Sequence, residues 1–279
     1  MKALFLFITL IILSVSTSAY IPSADFIFTK VVKNAGSGVY QVKQEVNFPT
    51  ATRNITVTET WWIQNDDLMF LKAEGPLFTQ YFLYKKGKKY SFGANGGLQA
   101  SSIPADFHEG LFFKRSSQDL KDSLIQRKIM PAQTLKKRPL IKSAKEIKDV
   151  TLINEPYLKL ARLGGTVNYV LGYAAQEEGA PGIWVEQDHF TIKKIKFASK
   201  SEMTADTFAE LSRSLIYPKS QKISWDTQYV QIELSRADAL NKGVEFFDEN
   251  QFAKLENQNK ALPPEWAQSV VGDFYKRFR

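Results

Sequence analysis

Residues 182–197 read GIWVEQDHFTIKKIKF, and the four residues EQDH set Glu186, Asp188 and His189 close behind Trp184. Two carboxylates and an imidazole in so short a space are material for an active site, and equally for the bend between two strands. The apolar residues decide. Ile183 and Val185 fall on one side of the first run, and Ile195 and Phe197 share a side of the second, the period-two alternation of half-buried strands. EQDHF stands where such a hairpin reverses, and aspartate is a common turn residue. A zinc site asks for three or four converging ligands, commonly with paired histidines, whereas the whole chain holds two histidines, His108 and His189. The stretch is a hairpin, and the chain is built of strands.

The same alternation runs outward from it. In VYQVKQEVNF, Tyr40, Val42, Val46 and Phe48 alternate with polar residues; in ITVTETWWIQ, Ile55, Val57, Trp61 and Ile63 alternate with threonines, and Asn65-Asp66 turns the chain. DLMFLKAE, LFTQYFLY and, after the KKGKK turn, KYSFG complete about five antiparallel strands. YLKLARL, TVNYVLGY, GIWVEQ, FTIKKIKF, AELSRSLIY and YVQIELSRA give about six more, with YPKS punctuating between the last two. Three parts are helical. Ser23 caps a helix carrying Ile27, Phe28, Val31 and Val32; residues 104–130 place Phe107, Leu111, Phe112, Leu120, Leu124 and Ile125 at helical spacing; PPEWAQSVVGDFYKRFR starts on proline and carries Trp266, Val270, Phe274 and Phe278 along one side. The fold class is α+β: one large curled antiparallel sheet of about 11 strands, which must curl, split or close at that width, with helices on one face.

Composition narrows the chemistry. With no cysteine there is no disulfide scaffold, no thiol nucleophile and no thiolate metal site. GxSxG, HExxH, Walker and calcium-loop patterns are absent from the sequence, and GANGG (93–97) lacks the helix start that a phosphate loop needs. No catalytic residue, metal or cofactor is expected; a hydrolase would have to rest on His189 or Glu59. Lys2 followed by the apolar run ALFLFITLIILSV and by STSA has the form of a secretory signal, residues 1–19, cleaved after Ala19. The expected mature chain is therefore an exported, periplasmic, single domain over 20–279, with a helical, basic insertion around 104–154. The formal charge of +8 is clustered at Lys85–Lys89, at Lys136–Lys148 and at Lys193–Lys196. For an exported protein these patches suit an anionic membrane surface better than nucleic acid, and solvated turns account for each patch singly.

One residue violates its strand. Glu59 occupies the apolar phase between Val57 and Trp61, and Gln44 sits likewise between Val42 and Val46. A dry core penalises an unpaired carboxylate by several kcal/mol. Either these strands face a wet or ligand-holding cavity, or each polar group has an internal partner.

TVNYVLGY, a short loop and GIWVEQDHFTIKKIKF together resemble the LolA/LolB-like proteins, periplasmic lipoprotein carriers in which a similar Trp-containing hairpin leads into a basic-apolar strand. The helix before the first strand, and YPKSQKISW leading into YVQIELSRA, extend the resemblance over much of the mature chain. It implies an unclosed half-barrel with helices on its concave face, a non-enzymatic role in holding lipid or lipoprotein acyl chains, and a monomer. Its candidate lining is Val57, Glu59, Trp61, Phe70 and Phe82 of the early strands, with Tyr169. The chain departs from the carriers in its longer, basic middle and in having Glu59 where their inward arginine would be sought. The alternative is an envelope sensor or protein-interaction module on the same fold.

Overall fold

The computed structural model describes residues 21–50, 54–93, 96–132 and 155–279. The signal segment 1–19, the lysine-rich run 136–148 and most of the second half of the 104–154 insertion lie outside these. Helix α1 (Ala24–Val31) begins where expected, Ser23 Oγ accepting from the Phe26 amide at 3.3 Å, and buries Ala24, Ile27, Phe28 and Val31.

Two meanders follow. The first is β1 (Val39–Phe48), β2 (Ile55–Asn65), β3 (Leu68–Glu74), β4 (Thr79–Lys85), β5 (Lys88–Phe92) and β6 (Leu98–Ser102). A 3-10 turn over Glu109–Phe113 and helix α2 (Ser117–Gln126) intervene. The second is β7 (Leu158–Leu163), β8 (Thr166–Leu171), β9 (Gly182–Glu186), β10 (Ile192–Lys196), β11 (Glu202–Glu210), β12 (Ile216–Trp225) and β13 (Gln228–Leu240). All pairings are antiparallel, and β1 pairs with β13, so the two meanders join at their first and last strands into one unclosed sheet, β6-β5-β4-β3-β2-β1-β13-β12-β11-β10-β9-β8-β7.

The sheet has 13 strands among the described residues rather than about 11. LQASS, the edge strand β6, has no apolar phase, and all five of its residues are exposed. AELSRSLIY is not one strand: a turn at Ser212–Ser214, with Arg213 and Ser214 at φ 57° and 61°, divides β11 from β12. YPKS does not punctuate either. Pro218 lies inside β12 opposite Phe208, in the part of the strand before pairing with β13 begins at Ser220, where a missing N–H leaves no ladder bond unmade on that side.

Side-chain alternation assigns the faces. In β2, Ile55, Val57, Glu59, Trp61 and Ile63 point to the inner face and are buried, while Thr56, Thr58 and Thr60 point outward. The main core fills the inner face and includes α1, α2 and the closing helices. A smaller apolar cluster lies on the outer face, where Phe70, Tyr81 and Leu83 pack against Phe247, Phe252 and Leu255. The segment after β13 makes that cluster with helix α3 (Glu249–Ala253), then bridges Lys260 to Thr79 on β4 and turns onto the inner face. There the expected single closing helix is two pieces, α4 (Pro264–Ala267) and α5 (Val270–Arg277), with Ser269 Oγ capping the second through the Val271 amide at 3.2 Å. None of the described helices is long and apolar enough to cross a membrane.

Candidate functional site

The inner face of β1–β4 is roofed by α5. Phe274 and Phe278 flank Trp225, with ring centroids 6.3 and 5.0 Å away, and Phe274 meets Phe48 edge-on at 5.3 Å. Tyr275 lies flat on Phe82 at 6.0 Å and against Phe78 at 5.9 Å. Trp61 stacks on Tyr84 at 5.7 Å, and Tyr84 on Phe107 at 4.6 Å. The half-barrel is filled with its own side chains rather than hollow here. Each large apolar side chain so buried contributes roughly 1.5–3 kcal/mol, which any ligand entering this face has to replace.

At the centre stands the residue that breaks its strand's pattern. Glu59 is fully buried, and Arg279, just beyond α5 and also fully buried, grips it with Nε 3.0 Å from Oε1 and Nη2 3.0 Å from Oε2. The sheet supplies two more donors to Oε2, Gln44 Nε2 at 2.8 Å and Trp61 Nε1 at 3.2 Å. The Arg279 guanidinium also lies over the rings of Trp61 and Phe274, 5.3 and 4.8 Å from their centroids. Of the two explanations for Glu59, an internal partner is the one found. Lys89 holds the same helix end from another strand: its ammonium, over the Phe82 ring at 4.5 Å, donates to the main-chain oxygens of Tyr275 and Arg279. Burial, with the positive charge of Arg279 beside it, lowers the Lys89 pKa to about 8.

The polar chain continues away from α5. Tyr217 Oη is hydrogen-bonded to Glu109 and lies 3.2 Å from Gln44 Oε1, and Gln221 bridges Tyr217 to His108, whose Nε2 is 3.2 Å from Gln221 Oε1. Burial raises the Glu109 pKa to about 7, outweighing the opposing pull of Arg279. Burial likewise holds the His108 pKa well below that of a free imidazole. A hydroxyl has one proton to give. With Glu109 protonated, its O–H serves Tyr217, Tyr217 serves Gln44 and Gln44 serves Glu59, so the donors along this run all point one way. With Glu109 ionised, the Tyr217 proton is drawn to it and Gln44 Oε1 loses its donor.

The candidate residues thus separate into three places. Val57, Glu59, Trp61 and Phe82 share the inner face under α5. Tyr169 is on β8 in the second meander, stacked on Phe190 at 6.0 Å. Phe70 is on the outer face in the smaller cluster, because it stands one residue out of phase with Met69 and Leu71. Arg279, Glu109, His108 and Tyr217 complete the site, and no sequence pattern marks them. EQDH is the turn expected: Glu186 accepts from the amides of Asp188 and His189 at 2.9 and 2.7 Å. Among the described residues no three His, Cys, Asp or Glu side chains group to hold a metal.

The described lysine clusters are less free than their charge suggests. Lys89 points inward, Lys85 pairs with Glu249 at 3.5 Å, Lys194 and Lys196 share Glu202 at 2.8 and 3.3 Å, and Lys193 meets Asp206 at 3.4 Å. Two clefts open on the surface, the first of them beside the roof. One, of about 240 Å³, lies between α5 and β4, lined by Gln80, Phe82, Gly272 and Lys276. The other, of about 440 Å³, lies between the β2–β3 turn and α2, where Asp66 pairs with Lys114 at 2.5 Å.

No protein-family model matches the chain, and no curated protein sequence is similar to it. Solved structures are. A LolA superfamily protein from Nitrosomonas europaea superposes with a TM-score of 0.52 at 12% identity, covering 83% of this chain and 100% of the other. A putative outer membrane lipoprotein-sorting protein domain from Vibrio parahaemolyticus gives a TM-score of 0.50 at 9% identity, covering 82% and 97%. The fold is LolA-like, and at such identity the likeness speaks for the fold alone.

Proposed function

We propose that this chain is a non-enzymatic, exported carrier that holds the acyl chains of a lipid or lipoprotein against the inner face of its half-barrel, with α5 as a displaceable roof. One observation supports it most: the apolar surface of β1–β4 is covered by a short two-piece helical segment that arrives from the outer face. Acyl chains match the aromatic and aliphatic surface that Val57, Trp61 and Phe82 offer once α5 withdraws, and their burial is worth roughly 25 cal/mol per Å². The name of the Vibrio neighbour, a putative outer membrane lipoprotein-sorting protein domain, is in keeping with a lipoprotein client. Export follows from the apolar leader, and the exposed Lys86 and Lys88 are the part of the first basic cluster left for a membrane surface.

The test is retention and release. Protein isolated from its native envelope without denaturants is examined by native mass spectrometry for acyl-bearing adducts. A Gln80→Cys/Lys276→Cys variant, bridged across the 240 Å³ cleft by a short bismaleimide, fixes α5 to β4. The expected result is an adduct on the free protein, and at least tenfold slower uptake of a fluorescent fatty acid after bridging. Neither an adduct nor uptake by the unbridged protein, in repeated preparations, would falsify the carrier reading. The filled interior favours one second reading, a sensor or interaction module on this fold; a partner crosslinked equally to bridged and unbridged protein, with no lipid on either, identifies it.

A further inference from the structure

Glu59 is held from two sides, by the sheet and by the roof. Gln44 and Trp61, which donate to its carboxylate, lie on β1 and β2 and not on α5. The remaining acceptor positions are taken by Arg279 in a two-point grip, with the flat guanidinium laid beside the Trp61 ring. A carboxylate with an aromatic wall is the chemistry that recognises organic cations. The socket is built from β1 and β2, whereas the cation that fills it follows the helix that would move. Glu109 sets a second carboxyl group in the same buried network. Lys89, the other inward cation, lies on β5 with β4 and β3 between it and β2, and its ammonium is engaged with main-chain oxygens of the α5 segment.

We propose that Glu59, Gln44 and Trp61 form a receptor for the cationic head group of an amphiphile, a guanidinium or an alkylammonium, whose place Arg279 holds while the roof is closed. This rests on the carrier reading and adds the charge class of the ligand to it. When α5 withdraws, Arg279 leaves with it and Glu59 keeps only the neutral donors of Gln44 and Trp61. A neutral or anionic chain leaves that carboxylate with neutral donors and no counter-charge; a chain ending in a cation restores the pair. The expected preference is roughly tenfold or more, the scale of a charge-assisted hydrogen-bonded pair.

The experiment uses the full chain carrying Arg279→Ala, which empties the socket and leaves Glu59 in place. Dodecylguanidinium, dodecanol and dodecyl sulfate, each below its micelle-forming concentration, are compared by calorimetry, with circular dichroism confirming the fold. Arg279→Ala is expected to bind dodecylguanidinium at least tenfold tighter than dodecanol, with dodecyl sulfate weakest, and Glu59→Gln/Arg279→Ala to lose the preference. Methylguanidinium chloride is expected to raise the Tm of Arg279→Ala more than sodium chloride of equal strength does, and to leave that of the double variant unchanged. Should Arg279→Ala not fold, Arg279→Gln takes its place. Equal binding of the three amphiphiles, or a preference that survives Glu59→Gln, overturns the cation receptor and leaves the carrier reading standing. A folded variant that binds none of the three overturns both.

Discussion

At the scale of single residues, the Glu59–Arg279 pair makes the sharpest demand. Breaking a buried pair by removing one partner leaves the other charge uncompensated, at a cost of about 3–5 kcal/mol, whereas replacing both with apolar side chains is commonly near neutral. Glu59→Gln should therefore lower the urea midpoint steeply, and Glu59→Leu/Arg279→Met should recover most of it; a double-mutant cycle measures the coupling. Glu109 and His108 carry opposing parts of the pH dependence. Its pKa rises from the ordinary 4.5 to about 7 in the folded protein, so its contribution is fully present below about 4.5 and is lost as pH rises through about 7, a difference of about 3 kcal/mol. Denaturation at pH 5 and pH 8 should show wild type losing stability relative to Glu109→Gln across that interval, while the variant itself gains, because the buried neutral His108 costs stability only below the ordinary imidazole range. Glu59 was legible as an anomaly because a carboxylate in the apolar phase of a strand breaks a period of two. Its partner was not legible, since nothing local to FYKRFR distinguishes an arginine that turns inward from the exposed Lys276 three residues before it.

At the scale of elements, the elbow between α4 and α5 depends on one glycine. A Cβ on Gly272 would meet the Ala267 carbonyl oxygen at 2.2 Å and its carbon at 2.6 Å, both backbone atoms that cannot swing aside. Gly272→Ala is expected to open the elbow and loosen the roof, by about 1–3 kcal/mol on the scale of overpacking. Limited proteolysis should then cut within 262–279 faster than in wild type while the sheet stays resistant. Strand reading succeeded where one face is apolar, as in β1 to β4, and failed at β6, whose neutral LQASS gives period reading nothing to register. It failed also at Pro218, since a proline is a turn signal only when the chain needs its N–H at that point, and here the strand has a neighbour on one side alone. Phe70 was assigned to the wrong face for a related reason: MFLKA is apolar at consecutive positions, and only the covering segment 243–255 explains why the outer face is apolar too.

At the scale of the whole molecule, the class of fold was readable from strands at regular spacing bracketed by helices, and the resemblance placed it correctly among LolA-like sheets. The order of the strands was not readable. Each meander follows from hairpins between neighbours, but the seam between them sets Val39 opposite Leu240 and Asn47 opposite Gln231, partners from opposite ends of the sheet-forming chain. That seam has a consequence in time. The central pair of the finished sheet is the last to become available, because β13 follows every other strand in synthesis and in any threading across a membrane. Until it arrives, β1 presents an open, alternating edge, the kind of edge that recruits other chains, and distant pairings of this sort slow folding. Refolding from urea should accordingly be slow and sensitive to protein concentration. Supplied in trans, a peptide of residues 228–240 should compete for β1 during refolding and lower the yield, while leaving the folded protein, whose seam is already sealed, untouched.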